Sequence, residues 1–498
     1  MSLARDTVRG ALWTILAGLG SRGVGLLGTL VVTHYVSPED YGEVMVAAIL
    51  AMTANQVSTL GLGQYLVSKP DAHPSAPFVA NVLHVLLGVL AVAAVVAFGP
   101  RIGAVVDAPG LTRYLGGLAV AVLFDRASFV PERLLARDLR FGTLGLGRTL
   151  GDLAHTLTAV LLVIAGFGAM SLVLGNVVRS ALRLLLFGAA AGARAFLLPR
   201  RPTLPLLVDM FGFGIPVAIG ALAAFATRRW DNLLVSRYFG PAVTGMYNLA
   251  YNLADVPAIH VGEQIGDVLL PSFARLPDER RPAALLRALA LLSLVVFPMA
   301  VGLGVIAPTL VSVVFDPRWR PVAPMLLVLS VLSIARPVAW VIASYAQALG
   351  RPRPLMWLEL AKLLGLGVAI ASVGRTSPVG AAAAVGAVYV LHALACLWVA
   401  ESVGAVELRR SLASLVPACV ATLPLALAVL GARASWRAAG GSAGPAALGL
   451  EIAAGVVAYV VGAWLFARSS VLDLLSRFRE ALGADQRAQR NPSRSPTS

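Results

Sequence analysis

Charged side chains inside apolar stretches are the residues whose chemistry is most informative here. A charge at bilayer depth costs at least ~2.5–3.5 kcal/mol on insertion scales, so such residues by default face a cavity and indicate a functional site. Guanidinium pairs with phosphate bidentately, which makes deep arginines candidates for holding a phosphate group. Deep carboxylates can bind a proton or Na⁺ and couple its entry to a conformational change. The basic candidates are Arg22, Arg228, Arg229, Arg336 and Lys362, and the acidic candidates are Asp255 and Glu263.

The surroundings of two arginines favour a functional interpretation. Arg22 has small neighbours near its helical face, which would leave room beside its side chain. Arg336 directly precedes Pro337, and a proline interrupts the ladder of backbone hydrogen bonds, so we expect a hinge there. Asp255 and Glu263 fall roughly on one face of the same predicted helix.

The alternative is that each cation is neutralised in a static ion pair between helices. Asp231 is a candidate partner for Arg228, and Glu359 stands at helical i, i+3 spacing before Lys362. Arg228 and Arg229 could also extend to the outer membrane interface. Both interpretations stay open on the sequence alone.

Other chemistry is poorly supported. The histidines and the two cysteines show no metal-ligand or disulfide spacing. No glycine-rich phosphate loop of the Gly-x-x-x-x-Gly-Lys-Ser/Thr type occurs, so we expect neither nucleotide use nor another cofactor. The predicted external loops are short, which argues against a membrane-embedded sugar polymerase or glycosyltransferase. We therefore expect a protein that is not an enzyme.

The composition indicates that this chain is a membrane protein. Of 498 residues, 58% are hydrophobic and only 13% are charged, about half the charged fraction of a soluble domain. Such a chain cannot cover its surface with polar groups, so lipid must surround it. The net charge of +15 could suggest nucleic acid. However, the bases are scattered between apolar runs and lack interleaved aromatics, which excludes nucleic acid as a partner.

Apolar runs of about 20 residues can cross a bilayer as helices. The sequence predicts an all-α, polytopic membrane protein of about fourteen transmembrane helices. The predicted spans are 11–34, 41–66, 77–99, 112–131, 142–166, 169–192, 205–229, 244–270, 284–314, 321–348, 354–374, 378–400, 411–432 and 444–467.

Orientation follows from the loops. Lys and Arg concentrate in both terminal tails and in the loops that follow the even-numbered predicted spans. In membrane proteins the loops rich in Lys and Arg are the cytoplasmic ones. Both termini are therefore predicted to be cytoplasmic, and the expected location is the inner, cytoplasmic membrane of the cell. After the last span, apolar residues recur at helical spacing among charges, which predicts an interfacial helix and then a disordered tail over 468–498.

The chain also contains a weak internal repeat. The turn Tyr35-x-x-Pro38-x-x-x-Gly42 recurs between two later spans as Tyr238-x-x-Pro241-x-x-x-Gly245. Parallel repeats of this kind are typical of transporters, which place substrate between their halves and rock one against the other. The sequence therefore predicts two pseudo-symmetric lobes, 1–200 and 201–400, with additional transmembrane helices in 401–467.

Four groups of segments lie at the ends of predicted spans: His34–Gly42 with Gly61–Val67, Arg137–Phe141, Trp230–Gly240 with Gly245–Ala250 and Pro257, and Phe315–Trp319 with Gln347–Arg351. In their order and spacing these segments resemble the polysaccharide transporter family, which belongs to the multidrug/oligosaccharidyl-lipid/polysaccharide exporter superfamily. The resemblance covers roughly residues 10–360.

This resemblance implies a flippase that moves polyprenyl-diphosphate-linked oligosaccharide repeat units to the outer leaflet for O-antigen, capsule or exopolysaccharide synthesis. It implies a cationic central cavity, in which the basic candidates would bind the diphosphate and first sugars. Expected partners are the lipid-linked oligosaccharide, membrane lipid, a coupling H⁺ or Na⁺, and the polysaccharide polymerase and assembly proteins. The alternatives are a multidrug or other small-molecule exporter and a peptidoglycan lipid-precursor flippase of the same superfamily.

Overall fold

The regular structure of the chain is helical, as predicted. The computed structural model describes residues 24–69, 73–257, 269, 272–273, 276–349, 351, 353–402 and 406–476, and no β-strand occurs within them. The helices are α1 Val24–Tyr35, α2 Pro38–Val57, α3 Leu62–Ser68, α4 Ala76–Val105, α5 Thr112–Arg137, α6 Phe141–Ile164, α7 Met170–Ala191, α8 Arg194–Leu197, α9 Leu204–Arg229, α10 Asp231–Pro257, α11 Arg281–Val314, α12 Val322–Leu332, α13 Ala335–Ala348, α14 Arg353–Ser372, α15 Pro378–Ser402, α16 Leu408–Ala438 and α17 Pro445–Phe466.

The chain is a multi-pass membrane protein. Among the described residues, 10 helical stretches are long and apolar enough to cross a membrane, or 11 if the bent pair α2–α3 counts as one span. The stretch Leu204–Val256 includes the end of α9 and the kink of α10 at Gly240, and it contains the predicted seventh span and part of the eighth. The helix α6 is not among the stretches. The first predicted span begins outside the described residues, and the total of about fourteen stays a prediction.

Large apolar side chains cover the outer faces of the helices. Leu364 is 72% exposed, Leu427 69% and Leu465 67%. In water such surfaces would aggregate, whereas in lipid they are the expected contact with acyl chains.

The second predicted span, 41–66, is interrupted, which corrects the sequence prediction. Ser37 caps α2 by accepting the Asp40 N–H, and Pro38 follows at its first position. The helix then stops at Val57, and α3 continues at an angle of 49°. Leu60 and Gly61 between them have φ of 42° and 62°. A Cβ on Gly61 would overlap the Gly214 backbone of α9, so close packing of the two backbones fixes this turn.

The tenth predicted span is also broken, at the place where the sequence predicted a hinge. α12 ends at Leu332 and α13 begins at Ala335. Pro337 occupies the first turn of α13, where its missing N–H costs no intrahelical hydrogen bond. The helix is interrupted there, although Val322–Ala348 counts as one membrane-crossing stretch, and the expected hinge stays a prediction.

The Cα atoms cluster into two compact units. The first comprises 1–249, 314–319 and 363–381, and the second comprises 250–313, 320–362 and 382–498. The first has a core around Leu62, Tyr65 and Met210, and the second has a core around Leu285, Phe297 and Ile342. The predicted lobes 1–200 and 201–400 stay a prediction.

A buried ion pair fastens the last two spans to α11 within the second unit. Arg433 of α16 contacts both oxygens of Glu451 of α17, at 2.9 and 2.7 Å. Thr309 of α11 donates to the same carboxylate at 2.6 Å. Arg433 also donates to the Val305 carbonyl, so both charges are well satisfied in a site where Glu451 is 1% exposed.

The predicted interfacial helix is described only in part. Residues 468–476 are helical, and Val471 and Leu474 pack against Ala421 and Ala463. Asp473 pairs with Arg287. The remainder of 468–498 lies outside the described residues.

Candidate functional site

Arg336 and Asp255 form a buried ion pair in the second unit. Arg336 lies in the first turn of α13, directly after the break in the tenth span, and Asp255 lies near the end of α10. Arg336 is 9% exposed and Asp255 8%. Two predicted site residues from different spans are therefore adjacent, in the paired form that the sequence left open as the alternative.

Two tyrosines surround this guanidinium. The Arg336 Cζ lies 4.6 Å from the ring centroid of Tyr251 and 4.2 Å from that of Tyr389. The two hydroxyls are 3.2 Å apart. Cation–π contacts of this kind stabilise a cation without neutralising it, so the aromatic partners can hold Arg336 whether or not Asp255 stays bound.

A second ion pair adjoins the first through Tyr389. The Lys362 Nζ lies 5.4 Å from the Tyr389 ring and 2.6 Å from the Glu359 Oε2. The other Glu359 oxygen is 3.3 Å from the His392 Nε2. The i, i+3 pairing of Glu359 with Lys362 is confirmed. His392, which was not among the predicted site residues, belongs to the same cluster.

We call these residues the paired-charge cluster: Tyr251, Asp255, Arg336, Glu359, Lys362, Tyr389 and His392. It holds two cations and two carboxylates. An arriving dianion could take over the cations, and the carboxylates released would then need another positive ion. The cluster therefore has cations that can bind an anion and carboxylates that can then bind a positive ion.

The other predicted site residues are not in this cluster. Arg228 and Arg229 end α9 in the first unit, where Arg228 is exposed and Arg229 is half-buried. Arg22 and Glu263 lie outside the described residues.

Asp231, the candidate partner of Arg228, is a buried acceptor in a local network of hydrogen bonds. The Tyr247 hydroxyl donates to its Oδ2 at 2.8 Å, and the Asn232 side chain donates to its Oδ1 at 2.9 Å. Asn248 donates to the Asn232 Oδ1 at 3.0 Å. These bonds join the two parts of α10, which are separated by Gly240 at φ 76°. The Trp230–Gly240 segment of the resemblance therefore has a structural role here.

The two copies of the repeated turn contact each other within the first unit. A Cβ on Gly42 would overlap the Pro241 carbonyl, and one on Gly245 would overlap the Pro38 carbonyl. A Cβ on either glycine would also lie 3.0 Å from the backbone nitrogen of the other glycine. By the predicted orientation this reciprocal contact lies at the outer ends of the helices.

The Phe315–Trp319 loop completes the end of α1. The buried Trp319 indole donates to the Thr33 carbonyl and Arg318 donates to the His34 carbonyl, both at 2.8 Å. These carbonyls belong to the last turn of a helix, which lacks internal partners. Asp316 accepts from the Arg318 backbone N–H and guanidinium, and these bonds lower the pKa of its carboxyl.

Sequence reasoning missed a group of arginines on α5. Arg126 and Arg133 lie two helical turns apart on either side of Phe129, and Arg126 is 2% exposed. The signal was present, because this spacing places three cation and ring groups on one face. Neither arginine was among the basic candidates.

Comparison with known proteins decides the family. A family model described as polysaccharide biosynthesis protein matches residues 31–324. The chain belongs to this family. Its relatives include the lipopolysaccharide biosynthesis protein WzxC of Escherichia coli (strain K12), 28% identical over 355 residues that cover 70% of this chain and 72% of WzxC. They also include the succinoglycan biosynthesis transport protein ExoT of Rhizobium meliloti (strain 1021), 25% identical over 373 residues that cover 74% of each chain.

Solved structures show that this member of the polysaccharide biosynthesis family has a transporter fold. Lipid II flippase MurJ in an inward closed conformation aligns with a TM-score of 0.74 and 15% identity, over 92% of this chain and all of that one. An inward-facing MATE family multidrug resistance transporter of the MOP superfamily aligns with a TM-score of 0.60 and 14% identity, over 77% and 95%. At these identities the likeness concerns the fold alone.

Proposed function

We propose that this protein is a flippase for polyprenyl-diphosphate-linked oligosaccharide repeat units in cell-surface polysaccharide biosynthesis. The family match over 31–324 carries the proposal. Relatives named for the biosynthesis of lipopolysaccharide and for succinoglycan transport support it. The names of these relatives favour it over the peptidoglycan-precursor flippase and the multidrug exporter.

The proposed mechanism is alternating access between two lobes. Cations in an inward-open cavity take the diphosphate and first sugars, while the polyprenyl tail stays in lipid. The lobes then rock to release the head group on the other side, as in transporters built from repeats. The protein lies in the cytoplasmic membrane with both termini inside, beside the polymerase and assembly proteins that receive its product.

The paired-charge cluster gives this mechanism specific groups. The diphosphate displaces Asp255 from Arg336 and Glu359 from Lys362, because guanidinium and ammonium both bind phosphate oxygens. Tyr251 and Tyr389 hold Arg336 in place during the exchange. Arg22, Arg228 and Arg229 are proposed to line other parts of the substrate path.

Ion coupling follows from the same exchange. Once displaced, Asp255 is a buried carboxylate without its cation, and such a group binds a proton or Na⁺ readily. Departure of the diphosphate lets Arg336 return and expel that ion. Glu263 is a second proposed coupling residue.

Reconstitution tests the proposal. Purified protein is placed in liposomes with a polyprenyl-diphosphate oligosaccharide in the inner leaflet, and the sugar reaching the outside is measured with a lectin that cannot cross the bilayer. We expect translocation above that of protein-free liposomes. Parallel liposomes carry lipid II or a cationic dye, and transport of either one in place of the oligosaccharide lipid would establish the corresponding alternative.

A further inference from the structure

A second group of cations in the first unit lies against one aromatic ring. The Cζ atoms of Arg126 and Arg133 lie 5.6 and 4.9 Å from the centroid of Phe129. His84 of α4 stacks on the same ring, with centroids 4.0 Å apart and planes 17° from parallel. We call these four residues the arginine–aromatic cluster.

The cluster differs from the buried cations Arg336, Lys362 and Arg433 because its arginines have no ion-paired carboxylate among the described residues. Arg336, Lys362 and Arg433 each have an acidic partner. Among the described residues, neither Arg126 nor Arg133 forms an ion pair with an acid, and the Nε of each has no hydrogen-bond partner. The only hydrogen bond of the Arg126 side chain there runs from Nη1 to the Ser58 Oγ, at 3.2 Å.

Neighbouring acids are engaged elsewhere. Asp125 precedes Arg126 in sequence and lies near Arg179 and Arg183 as well. Glu132 precedes Arg133 and pairs with Arg148 of α6. Residues adjacent on a helix point about 100° apart, so neither carboxylate occupies the face that carries Phe129. Asp125 and Glu132 attract these arginines from the adjacent faces, but neither forms an ion pair with them. The face that carries Phe129 therefore holds two cations without an ion-paired acid among the described residues, and an anion bound there would be favourable.

Glycines make room for the aliphatic parts of the two arginine side chains. A Cβ on Gly88 would lie 2.6 Å from the Arg126 Cδ, and one on Gly63 would lie 2.9 Å from the Arg133 Cγ. The interruption between α2 and α3 brings Ser58 to the same place. The surroundings thus accommodate two long cations that α5 presents on one face.

The cluster reaches from the inner membrane surface into the bilayer. In the predicted orientation α5 ends inside at Arg137, so at 1.5 Å per residue Arg133 lies about 6 Å and Arg126 about 16 Å from that end. A lipid head group in the inner leaflet would meet Arg133 first and Arg126 deeper.

We propose that the arginine–aromatic cluster is an oxyanion site that binds the diphosphate of the lipid-linked substrate as it enters from the inner leaflet. The identity of this ligand rests on the proposed function, whereas the affinity for an anion rests on two adjacent cations that form no ion pair with a described acid. Two guanidinium groups on one helix face match the two phosphates of a diphosphate.

Thermal unfolding of the full chain in detergent tests the site, with inorganic pyrophosphate as the probe at constant ionic strength. A ligand that binds the folded state raises the Tm with saturation. We expect Arg126→Gln and Arg133→Gln each to raise the half-saturating concentration at least tenfold. Arg126→Lys, which keeps the charge but loses the planar fork, should give a smaller increase. Arg113→Gln, an exposed arginine on the same helix, is the matched control and should leave it unchanged.

Wild-type half-saturation in both glutamine variants would overturn the proposal, as would the absence of a saturable rise in the wild type. If Arg126→Gln fails to fold, the half-buried Arg133 decides through its own variant. Short-chain phosphatidylglycerol serves as a second probe, and tighter saturation by it than by pyrophosphate would overturn the assignment to a diphosphate.

The liposome assay on the same preparations separates this inference from the proposed function. Translocation by a wild type whose pyrophosphate response does not depend on these arginines would leave the function standing and remove the site. Arginine-dependent binding without translocation of the oligosaccharide lipid would leave the anion site standing and remove the function.

Discussion

Gly42 and Gly245 occupy equivalent positions in the repeated turn, and each excludes a side chain from the other. Because neither glycine has a Cβ atom, the backbone of α2 can contact the backbone of the second part of α10. The contact is reciprocal, because the carbonyl that limits each glycine belongs to the proline of the opposite turn. This is the geometry expected of an approximate two-fold relation between parallel repeats.

Gly42→Ala should weaken this contact. The added methyl group overlaps a backbone carbonyl, which cannot move as a side-chain tip does, so we expect a loss of about 1–3 kcal/mol, typical of overpacking. Thermal unfolding in detergent measures the effect. The control is Gly116→Ala, a helical glycine whose Cβ would meet no atom within 4 Å and which should be neutral or slightly stabilising. Equal stability of both variants would mean that the contact is not close in the membrane.

The Arg336–Asp255 pair can be tested with a double-mutant cycle. Arg336→Gln or Asp255→Asn alone leaves a buried charge unpaired and should cost about 3–5 kcal/mol. The double variant should recover much of that stability, since both charges are absent. Unfolding midpoints of the four proteins give the coupling free energy.

The same four proteins separate binding from static pairing. If Arg336 takes the diphosphate during transport, the double variant should fold but lose at least tenfold in the rate of oligosaccharide-lipid translocation. A double variant that translocates at the wild-type rate would show that the pair serves only to neutralise its own charges.

Arg433→Gln should act on stability alone. It leaves Glu451 buried with only Thr309 as a described partner, so we expect a loss of about 3–5 kcal/mol in unfolding free energy. Translocation per folded molecule should stay within a factor of two. A large fall in specific transport at full folding would place this pair in the substrate path.

Asp316 gives a pH dependence with a defined sign. Hydrogen bonds from Arg318 lower the pKa of its carboxyl in the folded protein. The resulting stabilisation is present above the unfolded pKa of about 4 and is lost as the pH falls through the lowered folded value. Asp316→Asn should therefore lose less Tm than the wild type between pH 5 and 3. An identical acid profile of the two proteins would contradict this prediction.

Local features of the structure were predictable from sequence. Glu359 and Lys362 pair because three residues of helix bring their side chains together, and the span containing Pro337 is interrupted because proline cannot continue the ladder. Many of the predicted spans recur as apolar helical stretches, since apolar length alone selects them, whereas α6 does not and the total of about fourteen stays a prediction.

Contacts between distant segments were not predictable. The pairing of Asp255 with Arg336 depends on which faces of two helices meet, and hydrophobic periodicity is weak when the outer face of a span is also apolar. The break after Val57 depends on the approach of Gly61 to Gly214, which neither local segment encodes. Arg126 was missed because its lack of an ion-paired acid among the described residues depends on how the helices pack.

The capping of α1 by Trp319 has a consequence for how the chain is assembled. The indole and its acceptor, the Thr33 carbonyl, are separated by 286 residues. Synthesis proceeds from the N-terminus. The Thr33 carbonyl at the end of α1 therefore cannot accept its hydrogen bond from Trp319 until well over half of the protein has been synthesised. A chain truncated before Trp319 would lack this cap on α1, and we expect it to be degraded faster by quality-control proteases.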